Sequence, residues 1–457
     1  MAKGKKHLKA VVTTEGNTVE VPSVPEEEAA EVAESAEFVR PTPLIDTMRP
    51  RPPRPRGPGR QLSRGTITTV QLPFPQPNPL RAGTELRAVR AAGPIHRVWT
   101  PTGDQAWLVT GYAEVRELLD DDRLGRSHRT PATAPRSRAS ALFGGPIGDY
   151  DAEFTGHDRM RSLLNPHFSV RRLQALKPKV ETLTTDLLDQ LERDGPPADL
   201  HTKLALPLPV LVICELLGVP YGDRETFQVW VHACAFEADA AESLTGMAAL
   251  IDYCSGLVAD KRRRPGDDVI SSLCREDDLA DVEIAVLAMV LLFAGFETSV
   301  VQIWHQVAQL LSEPTQWQAL LENPSLIPKA TEELMRLTMN ANPGIPRYAR
   351  ENIDIAGVTI ADGDLVILDP GSANHDPAFF DDPDVADFTR KGTTPMSFGY
   401  GRRYCLGAPL ARLELKSVLA QLIPRFPDML LAVDPAELRV NIDSLGSGLG
   451  PLPVTWG

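Results

Sequence analysis

One cysteine in a glycine-punctuated loop offers the most specific chemistry in the chain. It lies in Ser397-Phe398-Gly399-Tyr400-Gly401-Arg402-Arg403-Tyr404-Cys405-Leu406-Gly407-Ala408-Pro409, where glycines permit a tight backbone path that side chains would obstruct. Pro409 suits a first helical turn, and Leu410, Leu413, Val418, Leu419 and Leu422 continue at helical spacing until Pro424. Cys405 therefore stands at a helix N-terminus. There a partial charge of about half an elementary charge, with free N–H groups, favours thiolate over thiol, and a thiolate is a strong soft ligand for iron. The plainer alternative is a structural cysteine in a turn before a helix.

Two further groupings could do chemistry. Leu292-Phe293-Ala294-Gly295-Phe296-Glu297-Thr298-Ser299 places an acid beside an alcohol in the longest apolar helical pattern, residues 281 to 311, where such groups are costly unless they have a task. The Thr298 hydroxyl can bond back into its own helix and leave room for water or a diatomic ligand. Gly295, at about 1 kcal/mol less favourable than alanine in mid-helix, signals close approach of something to the backbone. His157 and Arg161, four apart, share one helix face and suit an anion. Read alone, the first grouping also fits an ordinary buried helix and the second a solvated basic face.

Composition narrows what such groups can serve. The 457 residues carry a formal charge of −14, from 61 acidic against 47 basic side chains, which argues against general nucleic-acid binding and admits small apolar ligands. Cysteines 214, 234, 254, 274 and 405 are odd in number and show no metal-finger spacing, so a reducing, cytoplasmic setting without a disulfide framework is expected. The most apolar run, Ile284 to Phe296, is shorter than the ~20 residues of a membrane span, so no membrane anchoring is expected. Residues 1–68 hold Glu26-Glu27-Glu28 and a proline-arginine tract from Arg49 to Arg60; so few large apolar residues predict a disordered or loosely polyproline extension.

From residue 69 onward the pattern is mainly helical with small sheets. Ile95–Trp99 and Ala106–Thr110 around Pro101-Thr102-Gly103-Asp104 predict a hairpin, Tyr112–Leu119 a helix, and 123–150 a long loop. Helical spacing continues over 173–191, 204–217 and 226–262. Short strands are expected at Ile353–Ile355, Val358–Ile360 and Leu365–Leu368. Glu333 and Arg336, three apart on a helix, are alone unremarkable at ~0.2–0.5 kcal/mol.

The cysteine loop, with phenylalanine, two glycines, a basic residue, the cysteine and a further glycine at fixed offsets, resembles the haem-binding loop of the cytochrome P-450 family. The resemblance spans residue 72 to the end. It implies the cytochrome P-450 fold, with haem b between the oxygen-binding helix and the cysteine loop, and a soluble haem-thiolate monooxygenase domain over 69–457. Cys405 becomes the proximal iron ligand, pushing electron density towards the metal, with Phe398 near the sulfur. Ala294, Gly295, Glu297 and Thr298 resemble the oxygen-activating signature, giving Thr298 and Glu297 the delivery of protons to oxygen through water. His157, Arg161, Arg347 and Arg403 are implied propionate contacts, Arg403 replacing a frequent histidine. Glu333, Arg336 and Arg390 are an implied structural ion network behind the haem. Trp230, Phe227 and Phe236, with residues near Asn342 to Ile345, are implied to face the substrate.

The activity so implied is insertion of one atom of O2 into a C–H or C=C bond of a medium or large apolar molecule, in secondary-metabolite biosynthesis. Oxidative coupling, desaturation or rearrangement on the same fold, or a haem sensor, are the alternatives. No Rossmann fingerprint or flavin domain is visible, so electrons are expected from a ferredoxin or flavodoxin with an NAD(P)H-dependent reductase. Arg402 and Arg412 are the expected docking charges, and a monomer is expected.

Overall fold

The computed structural model describes residues 11–14, 17–20, 70–140, 144–235, 240–339, 344–392, 394–439 and 449–457. Phe236, Asn342, the proline-arginine tract and the glycine-rich turn at 445–448 lie outside the described residues. Within the N-terminal extension, β1 (Val11–Thr14) and β2 (Asn17–Glu20) pair antiparallel. The valines and threonines of VVTT and NTVE favour a pleated backbone.

The described chain continues with β3 (Val70–Gln71), followed by α1 (Thr84–Ala92), β4 (Ile95–Trp99), β5 (Gln105–Val109), α2 (Tyr112–Leu119) and β6 (Leu124–Gly125). The β4–β5 hairpin has the anticipated register, Ile95 opposite Val109 and Val98 opposite Ala106. Much later the chain returns as β8 (Ile345–Ala349), the hairpin β9 (Ile353–Ile355) and β10 (Val358–Ile360), and β11 (Leu365–Leu368). One six-stranded sheet results, in the order β3-β4-β5-β11-β8-β6. All four residues of β11 are buried, which is why its sequence is an unbroken aliphatic run and not an alternating one.

Between these segments lie α3 (Glu153–Leu164), α4 (Val170–Asp194), β7 (Ala198–Asp199), α5 (Pro207–Leu217), α6 (Arg224–Ala235), α7 (Ala240–Arg263), α8 (Val269–Leu273), α9 (Asp281–Ser312), α10 (Pro314–Glu322) and α11 (Ile327–Leu337). After β11 come α12 (Pro370–Ala373), α13 (Ala408–Arg425), β12 (Leu430–Leu431) and β13 (Pro453–Thr455). The last two pair with each other, and β13 with β7. Pro424 sits inside the last turn of α13, one residue short of its end, so the proline marks the helix terminus without stopping it.

Helix α9 organises the helical layer. Its N-terminus is closed by the Glu283 carboxylate, which accepts the Ala280 N–H at 2.9 Å, and α5, α7, α11 and α13 pack around it. By length and composition α9 could cross a membrane, yet 61% of its most apolar window is buried inside the fold: it is a core helix. Its buried residues include Ile284, Ala288, Leu292, Trp304 and Leu310. At Gly295 a Cβ would come within 2.7 Å of the Ile213 Cδ1 on α5, which identifies the close approach that the glycine signalled. Helices α6 and α7 pack on one another across α9.

Candidate functional site

Cys405 is held by its own loop. Its N–H donates to the Phe398 carbonyl at 2.9 Å, the Gly399 N–H to Met396 at 2.8 Å, and the Tyr404 N–H to Gly401 at 3.0 Å. Gly399 and Gly401 have φ of 73° and 68°, in the left-handed region. A Cβ on Gly401 would also collide with the Asp120 Oδ1 at 2.0 Å. Gly407 differs: it has φ −79° and ψ 0°, open to any residue. Phe398 lies under the Arg412 guanidinium, 4.5 Å from its ring centroid, and beside Tyr404.

The Cys405 thiol carries accessible surface although protein crowds it on most sides, so that surface faces an interior space. Burial raises its pKa; the Gly407 and Ala408 N–H groups, with Arg161 and Arg412, oppose this without cancelling it. The expected thiolate preference is thus reversed in the protein alone, because desolvation outweighs the helix terminus. A bound cation would restore it, since coordination deprotonates a thiol outright. Cys214, Cys234 and Cys254 are buried and pushed up to about 12 by desolvation, which leaves them inert.

The middle of α9 is less covered than the rest of the helix. Ala294 and Thr298 are exposed among neighbours that are mostly buried, and the Thr298 hydroxyl donates to the Ala294 carbonyl at 2.8 Å. Glu297 is largely enclosed, with Oε1 3.9 Å from His232 Nδ1 on α6. The carboxylate pushes the His232 pKa up against burial. No motif pointed to His232, because its partner lies 65 residues away. Beside Thr298, Ser299 hydrogen-bonds Glu414 of α13, whose carboxyl is pushed up to about 8 by burial and is therefore neutral at pH 7.

At one edge of the same space lies a cluster of guanidiniums. Arg403 pairs with Glu153, which also accepts the Arg126 N–H at 2.6 Å, the Ser127 N–H at 2.9 Å, the Ser127 hydroxyl and Arg350 Nη1 at 3.2 Å. Burial alone would raise the Glu153 pKa, but these donors bring it below the usual range. Arg347 is buried and donates to the Pro346 carbonyl at 2.9 Å. His157 presents a buried Nδ1 with no hydrogen-bond partner, 3.6 Å from Asp158; burial, then Arg403, lowers its pKa. Arg161 instead turns to the cysteine loop, donating to the Tyr404 carbonyl at 3.0 Å. The structure thus sets His157, Arg347 and Glu153 around Arg403, and Arg161 beside the Cys405 loop, on segments far apart in the chain.

The donor set suits a dianionic, iron-bearing macrocycle: an accessible thiol with Arg161 and Arg412 near it, a buried His157 Nδ1 without a hydrogen-bond partner, and Arg347 near Arg403. Behind the cysteine loop, Glu333 grips Arg336 at 2.9 and 2.7 Å and Arg390 at 3.0 Å, the network the sequence suggested. Arg412 is held by Glu332 at 2.6 and 3.0 Å, whereas Arg402 makes only longer pairs with Asp122 and Asp158. Of the two expected docking charges, only Arg402 is loosely held.

Comparison with known proteins agrees with this geometry. The family model described as Cytochrome P450 matches residues 247–437. Pentalenolactone synthase of Streptomyces exfoliatus is 41% identical over 396 residues, covering 84% of this chain and 99% of that protein. Mycinamicin IV hydroxylase/epoxidase of Micromonospora griseorubida is 38% identical, covering 79% and 92%. The solved structure of the mycinamicin VIII C21 methyl hydroxylase MycCI superimposes with a TM-score of 0.78 at 33% identity, over 85% of this chain and 100% of that one. Cytochrome P450mel 107F1, with biaryl coupling reactivity, gives 0.77 at 33%, with the same coverage. The chain belongs to the cytochrome P450 family and is a P450 monooxygenase.

Proposed function

We propose that this protein inserts one atom of O2 into a C–H or C=C bond of a medium or large apolar substrate in secondary-metabolite biosynthesis, drawing electrons from a separate ferredoxin or flavodoxin and its reductase. The observation that carries the reading is the accessible Cys405 thiol in a loop tied by the Phe398, Met396 and Gly401 carbonyls, in a chain whose core helix leaves Ala294 and Thr298 exposed. Haem b would be held by Cys405 and, at its propionates, by His157, Arg347 and Arg403, and would supply oxygen activation. Relatives named as hydroxylase, epoxidase and synthase, acting in the formation of pentalenolactone and mycinamicins, support the substrate class.

The chain's own residues hold the reactants and move protons. Thr298, tethered to the Ala294 carbonyl, keeps its hydroxyl oxygen lone pairs towards the interior space and orders water there. Glu297 stands next in sequence as the proton reservoir, with His232 beside it. Neutral Glu414 and Ser299 keep the other flank of the helix uncharged. Phe227 and Tyr253, stacked at 6.4 Å, and Trp230 form an aromatic seam between α6 and α7; substrate choice is assigned to these two helices.

The test is Thr298→Ala in the reconstituted enzyme with a substrate found by spin-state titration. Oxygen-driven turnover should fall by on the order of 10²-fold or more, as loss of positioned acid–base assistance does, with electrons diverted to hydrogen peroxide. Hydrogen-peroxide-driven turnover should persist, and label from isotopic O2 should enter the wild-type product. Equal turnover in both variants, or product free of label, overturns the proposal.

A further inference from the structure

Glu297 lies on a mostly buried, apolar helix, and its side chain is only 13% exposed. A charge enclosed in this way is retained when something pairs with it. Among the described residues the one cation in ion-pair reach is His232 on α6, its Nδ1 3.9 Å from the Glu297 Oε1. An arginine or lysine there would keep its charge across the neutral range, whereas an imidazole pairs only while it carries a proton. The pairing is therefore conditional.

Packing fixes the turn of α6 that bears His232. It is pressed against α7 at Gly246, where a Cβ would come within 2.7 Å of the Ala233 Cβ, 2.8 Å of the Trp230 carbonyl oxygen and 2.9 Å of the Cys234 nitrogen. The Ser243 hydroxyl of α7 donates to the Cys234 carbonyl at 3.1 Å, and Val231 and Cys234 are fully buried. The His232 side chain nevertheless keeps 69% of its surface accessible, so water reaches it. The other titratable groups around the pair favour the imidazolium. The Glu297 carboxylate raises the His232 pKa, burial opposes it, and Glu242 of α7 adds a second negative charge on the raising side. His201, in the π-turn His201–Ala205 before α5, also feels Glu297, yet burial lowers its pKa against the Asp199 and Glu297 charges. It stays neutral at pH 7 and does not compete.

We infer that His232 is the positioning residue for Glu297: the imidazolium holds the carboxylate towards α6, passes it one proton when Glu297 has given its own away, and takes a replacement from water. Each cycle moves one proton inwards and no electron, and the imidazole ends as it began. At 3.9 Å the transfer runs through one water or a turn of the ring. The inference rests on Glu297 as the proton reservoir proposed above, and the experiment separates the two.

The first measurement is an NMR titration of the histidine ring protons in the reduced, carbon-monoxide-bound holoprotein, the His232 signal being the one lost in His232→Gln. It should titrate above the ordinary value of about 6.5, and Glu297→Gln should bring it down; an unmoved titration overturns the inference. The second follows kcat between about pH 6 and 9, the range in which an imidazole changes charge. Wild-type kcat should fall with a one-proton slope as pH rises through the His232 value, since the proton source is lost there. His232→Gln should lack that limb and turn over on the order of tenfold more slowly at neutral pH, with KM unchanged and hydrogen-peroxide-driven turnover persisting. His232→Lys should carry the limb upwards, towards about pH 10. A wild type without the limb, or a limb that survives in His232→Gln, overturns the inference. So does an effect confined to KM, which would mark a substrate contact, or an equal loss in the peroxide-driven reaction, which would mark a structural role. Glu297→Gln turning over at the wild-type rate would sink the reading of Glu297 itself, and the inference with it.

Discussion

Two buried arginine clusters stand at opposite ends of the cysteine loop's surroundings, and they are built differently. In the first, Arg336 is fully buried and every direction of its guanidinium is answered: Glu333 takes two N–H groups, and the carbonyls of Asn374, Pro383 and Val385 take the rest at 2.8, 2.7 and 3.2 Å. Arg390 adds its own bonds to Glu333 and to the Asp381 carbonyl at 2.6 Å. In the second, Arg126 and Arg347 share the Pro346 carbonyl, and among the described residues neither side chain bonds a carboxylate. A closed network of donors and acceptors specifies structure. An open one, with surplus charge, specifies a ligand.

The sharpest way to break this contrast is to remove one arginine from each cluster and unfold the protein in urea. Arg336→Met should cost about 3 kcal/mol, because it takes from the buried Glu333 carboxylate its two-bond partner and leaves it only Arg390 and the Asp387 N–H, whether or not haem is loaded. Arg347→Met should lower the stability of the loaded protein and leave the haem-free protein unchanged or more stable, since it relieves repulsion with Arg126. Equal losses at both sites, or a loss at Arg347 that ignores haem, would erase the distinction.

Acid gives a smaller effect that sharpens the same comparison. Glu333 and Glu153 are both buried, which alone would raise them, and both are brought below the usual range by their hydrogen-bonded and charged partners. A depressed carboxylate contributes stability that is fully present above its unfolded value of about 4.3 and is lost as pH falls through the lower native value. The acid limb of the stability curve should therefore be steep below about pH 4.3. Glu333→Gln should make it shallower by about one proton's worth of slope. An unchanged slope, followed by urea midpoints at successive pH values, would mean that Glu333 is not charged in the native state.

What was legible in the sequence divides along the same line. Cys405, Thr298 and the Glu333-Arg336 pair are written within a few consecutive residues, so backbone rules and local spacing reveal them. The hairpin Ile95–Val109 and strands β9 and β10 were legible because β-branched residues and turn residues are local signals, and β11 because a short aliphatic run after Asp362-Gly363 is local too. Arg126 was not, since its meaning comes from Pro346, 220 positions away; His232 and the Ser299–Glu414 pair were missed for the same reason. Gly401 reads as a turn glycine, but Asp120 from α2 is what leaves no room for a Cβ. The thiol of Cys405 shows the opposite error: a helix N-terminus is visible in sequence, whereas the desolvation that outweighs it is a property of the packed fold.

The account turns on Cys405 as the iron ligand, and one spectrum addresses it. The dithionite-reduced holoprotein should give, on adding carbon monoxide, a strongly red-shifted Soret difference band, which Cys405→Ser abolishes and Cys214→Ser leaves in place. A band typical of histidine-ligated haem in the wild type, or one that survives Cys405→Ser, would contradict it.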